Sequence, residues 1–220
     1  GGGEPTRLAY TPGRRATLVG WTAEGASVLV TEDARTARHV FAVPAGDERA
    51  GERQVRQVTA GDGIYSSLSY SRSANRLAFS YENSTKPEEV YVGRRENFSR
   101  RRLTSVNAEV SRPEMGRTEL MSWPSTDGAE IEGLLTYPVG YDGGRVPLVL
   151  NVHGGPAGAY KRSFSGAPVV YLAPQVFAQK GYAVLRPNPR GSTGYGSGFR
   201  LHAVEDWRHA PLEDLMAGVD

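Results

Sequence analysis

Over residues 1 to about 110 the apolar positions come in short runs and almost never at helical spacing. "SVLVT" (27–31), "HVFAV" (39–43), "SSLSYS" (66–71), "RLAFSY" (76–81) and "EVYVG" (89–93) are separated by Gly, Asp, Asn and Ser clusters, the signature of strands joined by turns. The runs repeat. "SVLV" followed by "HVFAV" is matched by "RLAF" followed by "EEVYV", which sets Phe41 and Tyr91 50 residues apart, and "RQVT" (56–59) is matched by "RRLT" (101–104), 45 residues on. A period of about 45 to 50 residues built from about four short strands is that of a β-propeller blade. At most two such units fit, where a propeller needs roughly four to eight. A small β-sandwich with chance similarity is the competing expectation.

The pattern changes after residue 118. "ELMSWPSTDGAEIEGLLTYPVGYDGGRVPLVLNV" (119–152) predicts two strands around the hairpin signal Asp127-Gly128, a Pro/Gly-rich crossing, and a buried strand at "PLVLNV". "APQVFAQKG" (173–181) predicts a helix with Val176 and Phe177 on one face and Gly181 as C-cap. "YAVLRPN" (182–188) is the next buried strand, and "EDWRHAPLEDLMAGVD" (205–220) is helical with Leu212, Leu215, Met216 and Val219 at core spacing. Strands alternating with helices imply a mainly parallel sheet covered by helices.

Composition narrows the function classes. The 26 basic and 24 acidic side chains nearly cancel, so nothing points to nucleic acid or an anionic membrane surface as partner. The chain has no cysteine, which excludes disulfides, a thiol nucleophile and Cys-based zinc sites. No run approaches 18 consecutive apolar residues, so no transmembrane helix is predicted. The opening "GGGEPTRLAY" carries no initiator Met and no leader pattern. It reads as the interior of a longer chain, and cytoplasmic and periplasmic locations both stay open. Two sequons, Asn83-Ser84-Thr85 and Asn97-Phe98-Ser99, matter only in a glycosylating host.

The candidate chemistry begins at His153-Gly154-Gly155-Pro156, on the turn leaving an apolar strand. In α/β-hydrolases that loop gives one backbone N–H to the oxyanion hole through an HGGG-type motif. Glycine suits the task because a side chain would obstruct the tetrahedral oxygen and restrict the φ/ψ that aims the N–H.

"DGAEIEGLLTYP" (127–138), "PLVLNVHGGP" (147–156), "GYAVLRPNPRGSTGYGSGF" (181–199) and "DLMAGVD" (214–220) stand in the order and spacing of the prolyl oligopeptidase family of serine peptidases. The chain resembles most its acylaminoacyl-peptidase and dipeptidyl-peptidase-like branch, in detail over 120–220 and in architecture alone before that. The resemblance implies β-propeller blades followed by the N-terminal half of an α/β-hydrolase domain. Residues 1–110 would be the C-terminal blades of a propeller, 111–147 the interdomain connection with the first hydrolase strands, and 148–220 an incomplete catalytic domain. It also implies that Gly155, with Gly154 beside it, presents the oxyanion-hole amide, and that Arg190 braces the loop after the next strand against an acid such as Asp206 or Asp214. Tyr160 and Tyr195 are candidates to line the entrance, with a packing role the favoured expectation. The implied activity is cleavage of short peptides by acyl transfer to a serine, with oligopeptide substrates and no metal or organic cofactor. P1 preference, exo- or endo-character and oligomeric state are not specified.

Three other readings lose ground. His153 is a tempting base, but the hydrolase triad runs Ser, Asp, His along the chain, which favours a strand-end histidine bonded to backbone. His202 and His209 are seven apart with no third ligand near, too little for a metal site. The glycines 191, 194, 196 and 198 follow a strand as a dinucleotide loop would, but Phe199 takes the third glycine's place. No serine stands in a Gly-x-Ser-x-Gly elbow: Ser197 has Tyr195 two places before it and Ser192 has Arg190. The expectation is therefore a fragment whose Ser, Asp and His lie beyond residue 220 and which is inactive alone. An esterase-type hydrolase and a non-catalytic propeller-containing binding protein are the alternatives.

Overall fold

A computed structural model describes residues 8–13, 15–45, 54–111, 114–155, 157–164, 173–206 and 209–219. The expected short strands are present, grouped into two antiparallel meanders. The first comprises β1 (Thr17–Trp21), β2 (Ser27–Ala34), β3 (Ala37–Pro44) and β4 (Arg56–Gln57). The second comprises β5 (Ile64–Ser71), β6 (Arg76–Asn83), β7 (Lys86–Arg94) and β8 (Arg100–Arg102). A single parallel bridge, Arg38↔Ile64, joins them into one sheet.

The sequence repeat is a repeat of hydrogen bonds. Phe41 stands opposite Gln57 as Tyr91 stands opposite Arg102. Val58 N–H donates to Val40 O at 2.8 Å, and Leu103 N–H to Val90 O at 2.8 Å. The Thr59 hydroxyl accepts from Val40 N–H at 3.0 Å, and the Thr104 hydroxyl from Val90 N–H at 2.9 Å. Each unit therefore closes its last strand with the same threonine.

Burial explains why the two units read differently. Leu29, Val40, Ala42 and Val58 of the first pack against Tyr65, Leu77, Phe79, Tyr81 and Tyr91 of the second. The first meander buries a further cluster, Val28, Val30, Phe41 and Val43, on its other face. A strand covered on both sides reads as a continuous apolar run, as "HVFAV" does, while β6 with one buried face alternates strictly. Asn83, the first sequon asparagine, is occupied locally: its Oδ1 accepts Thr85 N–H and Lys86 N–H at 3.0 and 2.9 Å in the β6–β7 turn.

A second sheet of four strands runs in the order β11-β12-β10-β9, with β9 Thr118–Pro124, β10 Glu130–Thr136, β11 Leu148–Leu150 and β12 Ala183–Asn188. The expected hairpin joins β9 to β10, with Gly128 at φ +85°. Two expectations need correction. The sheet is mixed and not mainly parallel, since β11–β12 is its one parallel pairing among the described strands. "PLVLNV" is not fully buried by the described residues: among the described strands β11 pairs with β12 alone, Leu148 is exposed, and Val149 and Leu150 are half-buried.

The helices also differ from the pattern. α1 (Pro174–Ala178) stops at C-cap Gln179, Gly181 lies beyond it at φ +84°, and Val176 is exposed. α2 (Gly196–Glu205) starts inside the glycine series, where no helix is expected. α3 (Ala210–Ala217) turns Ala210 and Asp214 inward and leaves Leu212, Met216 and Val219 exposed, the reverse of the apolar-face expectation. Its orientation is set by polar partners, described below, and by Trp123. That indole Nε1–H donates to Asp214 O at 2.9 Å, and a Cβ on Gly218 would lie 2.6 Å from its ring.

The two sheets meet at the β2–β3 turn. Arg35 N–H donates to Gly194 O at 2.9 Å, and Arg162 N–H to Thr36 O at 2.8 Å. Arg35 reaches the buried Glu132 at 2.5 Å, and Lys161 reaches Asp33 at 3.0 Å. Gly194 needs to be glycine on two counts: φ is +92°, and a Cβ would lie 2.8 Å from Arg35 O.

Candidate oxyanion turn

β11 is the third strand of its sheet, and the chain leaves it through Asn151-Val152-His153-Gly154-Gly155. Pro156 lies outside the described residues, as does Asp220. Gly155 has φ +125°, a conformation that L side chains rarely adopt. At Gly154 a Cβ would meet nothing within 4 Å, so open space lies on that side of the backbone. Gly158 brings the chain back against the turn, where a Cβ would sit 3.0 Å from Gly154 O and 3.1 Å from His153 Nδ1. Among the described residues, neither Gly154 nor Gly155 gives its N–H to another backbone group. A turn with such amides, beside open space at Gly154 and against the Ala157–Gly158 backbone at Gly155, has the donors an oxyanion would need.

The turn is stapled to the loop after β12. Asn188, fully buried at the end of that strand, accepts Tyr160 N–H at 2.7 Å and donates from Nδ2 to Tyr160 O and Tyr195 Oη, both at 3.0 Å. Tyr160 Oη donates to Asn151 Oδ1 at 2.8 Å. Thr193 N–H donates to Gly158 O at 2.9 Å. Both tyrosines are thus packed and bonded. Burial pushes the Tyr160 phenol up, opposed by the Arg186 charge, and burial followed by the Glu132 charge pushes Tyr195 up. Arg186, itself buried, lies 5.7 Å over the Tyr160 ring, and burial pulls it down to about 10, so it stays charged at neutral pH.

His153 contacts Ser192 Oγ through Nε2 at 3.0 Å and Gly154 O through Nδ1 at 3.2 Å, and its ring meets Tyr160 edge-on at 5.3 Å. Burial holds its pKa below the ordinary histidine value, with the Gly154 carbonyl opposing and Lys161 adding to the effect.

Arg190 sits on the same loop and is buried. Its Nη2 donates to Asp214 Oδ1 at 2.7 Å, Nε reaches both Asp214 oxygens at 3.1 Å, and its backbone N–H donates to Asp214 Oδ2 at 2.8 Å. It also pairs with Asp127 and donates to Ser125 Oγ at 3.3 Å, while Ser125 donates to Asp214 Oδ1 at 2.6 Å. These bonds, the Asp214 ones foremost, push the guanidinium further up. The Ala129 N–H and then Arg190 hold Asp127 below the usual carboxylate value. One cluster therefore ties the β9–β10 hairpin, the loop after β12 and α3. Asp206, the other acid considered, accepts His209 N–H at 2.9 Å and Ala210 N–H at 3.2 Å as α3 begins.

Sequence reasoning missed Asn188, Ser192, Ser125 and the second use of Asp127. Asn188 left one visible signal, an amide ending a strand that opens with the apolar run Ala183-Val184-Leu185. His202 lies on α2 and His209 is the N-cap residue before α3, and no group of three metal-ligating side chains occurs among the described residues. A cavity of about 600 Å³ opens between the first meander and the strip Ala157–Ala159, lined also by Leu18, Asp33, Arg38, Lys161 and Thr193. Its described lining stops short of Gly154 and Gly155.

The fold is one that solved peptidases share. The acylaminoacyl peptidase of Pyrococcus horikoshii superposes with a TM-score of 0.71 at 23% identity, over 93% of this chain and 30% of that one. An acylaminoacyl peptidase in complex with Z-Gly-Gly-Phe-chloromethyl ketone gives 0.70 at 23% identity, over 93% and 30%.

In sequence, residues 168–220 match the model of the prolyl oligopeptidase family, and the chain is a relative of its serine peptidases. Dipeptidyl-peptidase 5 of Trichophyton schoenleinii is 29% identical over 215 residues, covering 96% of this chain and 28% of that protein. The chain thus spans less than a third of the length of the relatives it matches.

Proposed function

We propose that this chain is the oxyanion-binding portion of a serine peptidase acting on short peptides, with the nucleophile supplied by residues outside 1–220. The two meanders are read as propeller blades and the four-stranded sheet as the start of an α/β-hydrolase domain. Residues 1–110 belong to the first unit, 111–147 to the connection and first hydrolase strands, and 148–220 to the catalytic unit. The observation that carries the reading is the Gly154–Gly155 turn. It leaves the third strand of the sheet, has open space at Gly154, and is stapled to the loop braced by Arg190. The family match over residues 168–220 and the peptide-like inhibitor on an acylaminoacyl peptidase support it.

On this reading the chemistry belongs to backbone. As a serine attacks the scissile carbonyl, backbone N–H dipoles of the turn meet the charge that develops on oxygen. The Arg190–Asp214 pair keeps its place behind the loop and touches no reacting atom.

Two measurements test the reading. A fluorophosphonate probe should label no serine within residues 1–220, since no serine here has the nucleophile elbow. In the peptidase that carries this chain together with its nucleophile, Gly154→Ala keeps the N–H but puts a methyl where the oxyanion would sit, and should lower kcat by about 10² to 10³ with folding preserved, as much as losing one oxyanion donor. Gly154 suits this test better than Gly155, because a Cβ there meets no protein atom within 4 Å and fills the open space. An unchanged kcat in the folded Gly154→Ala protein refutes the assignment.

A further inference from the structure

Gly154 and Gly155 cannot hold themselves in place. Neither has a side chain to pack, and Gly155 sits where only glycine is at ease. The turn must be fixed from its ends. Downstream, Thr193 N–H bonds Gly158 O. Upstream, the neighbour is His153, and its ring is clamped between Tyr160 and Ser192.

We propose that Ser192 is a positioning residue of the oxyanion turn: its hydroxyl docks the His153 ring and so sets the direction of the Gly154 and Gly155 amides. This rests on the peptidase reading above. Ser192 is fully buried, and its Oγ lies 2.6 Å from Pro189 O. That short contact takes the hydroxyl proton, which leaves an Oγ lone pair facing His153 Nε2 at 3.0 Å. Two contacts compete for the one ring proton of neutral His153, Ser192 Oγ at Nε2 and Gly154 O at Nδ1, and the shorter of them assigns it to Nε2. With Nε2 anchored and the ring edge against Tyr160, the His153 side chain has one orientation, and the peptide that follows it is the one carrying the Gly154 N–H. Ser192 and Thr193 are adjacent, so one rigid turn grips both ends of the glycine segment. The turn itself is fastened through the neighbouring Arg190 to Asp214.

The test starts with the 220-residue chain and ¹⁵N NMR of the imidazole and the glycine amides. Neutral His153 should be the Nε2–H tautomer. Ser192→Ala should shift it toward Nδ1–H, with Gly154 O as the remaining partner, and should move the Gly154 and Gly155 amide resonances. His153→Gln, whose side-chain amide can still donate to Ser192, should hold those amides nearer their original positions than His153→Ala does. This second pair keeps the test decisive if Ser192→Ala fails to fold. A wild-type Nδ1–H tautomer, or glycine amides indifferent to all three variants, overturns the proposal.

In the peptidase that contains the chain, Ser192→Ala should lower kcat about 100-fold, the cost of a misplacement near 1 Å, with KM little changed. If Gly154→Ala lowers kcat and Ser192→Ala does not, the positioning role is refuted and the oxyanion turn stands. If Ser192→Ala moves the tautomer and amides but neither variant affects kcat, the oxyanion turn is refuted and the positioning role falls with it.

Discussion

Asp214→Ala would remove the central acceptor of a buried charge cluster. Asp214 is fully buried, and its carboxylate takes four donors: Arg190 Nη2 at 2.7 Å, Arg190 Nε at 3.1 Å, Arg190 N–H at 2.8 Å and Ser125 Oγ at 2.6 Å. Without it the Arg190 guanidinium, 5% exposed, keeps Asp127 as its only described carboxylate, and that side chain is 51% exposed. Breaking a buried pair from one side costs about 3 to 5 kcal/mol, because the surviving charge stays desolvated. A solvent-screened pair such as Arg190–Asp127 returns at most about 1 kcal/mol. The expected loss is therefore about 3 kcal/mol, near the lower end of the range for one-sided breakage.

Urea unfolding of wild type and variant, followed by tryptophan fluorescence, measures it. With an m-value of about 2 kcal/mol/M the midpoint should fall by about 1.5 M with m unchanged. Trp123, whose indole donates to Asp214 O, gives a local optical signal from the same cluster. Replacing both partners, Arg190→Met with Asp214→Leu, should recover most of the loss, since a buried pair exchanged for apolar side chains is often neutral. A loss below about 1 kcal/mol for Asp214→Ala, or a double variant as unstable as the sum of the singles, would show that desolvation of Arg190 does not govern this loop.

Two further outcomes follow from the same geometry. Burial holds His39 and His153 below the ordinary histidine range, so the unfolded chain takes up protons first as pH falls through about 6.5. Their contribution is complete above that pH and is lost below it. The urea midpoint should thus drop between pH 7.5 and 5.5, and a His39→Gln, His153→Gln variant should show a flatter profile; equal slopes would contradict the assignment. The repeated threonine caps should differ in worth. Thr59→Val leaves the buried Val40 N–H and the His39 ring without Thr59 Oγ1, at a cost of about 1 to 3 kcal/mol. Thr104→Val strands a more open amide that water can reach, and Glu89, which loses the Thr104 hydroxyl, keeps the Val106 and Asn107 N–H donors, at about 0.5 to 1.5 kcal/mol. The reverse order in denaturation midpoints would refute the burial argument.

Much of this molecule is decided within short stretches of chain. Strands β2, β3, β6 and β7 are written in short apolar runs bounded by turn residues, continuous in β3 and alternating in β6. The repeat from Phe41 to Tyr91 carries over directly, because the same threonine closes the same strand pair in each unit. Asp127-Gly128 makes its hairpin for a local reason too, with Gly128 taking the positive φ. His153-Gly154-Gly155 is legible as a place for bare backbone at a strand end.

What depends on neighbours far along the chain was beyond local pattern. The spacing of Leu212, Leu215, Met216 and Val219 predicts a buried apolar face, yet α3 turns Asp214 inward. The guanidinium of Arg190, 24 residues earlier, cannot stay buried without that carboxylate. "PLVLNV" is apolar enough for a core strand, yet its burial depends on what covers its faces, and among the described residues Leu148 stays exposed. Gly194 reads as part of a glycine-rich loop until the backbone of Arg35, from the other sheet, comes within 2.8 Å of where its Cβ would be. Ser192, Asn188 and His153 carry no pattern that links them, because their hydrogen bonds join residues 28 to 39 apart. Hydrophobic periodicity acts over one turn or one pleat, whereas a buried polar group must find its partner wherever the fold supplies one.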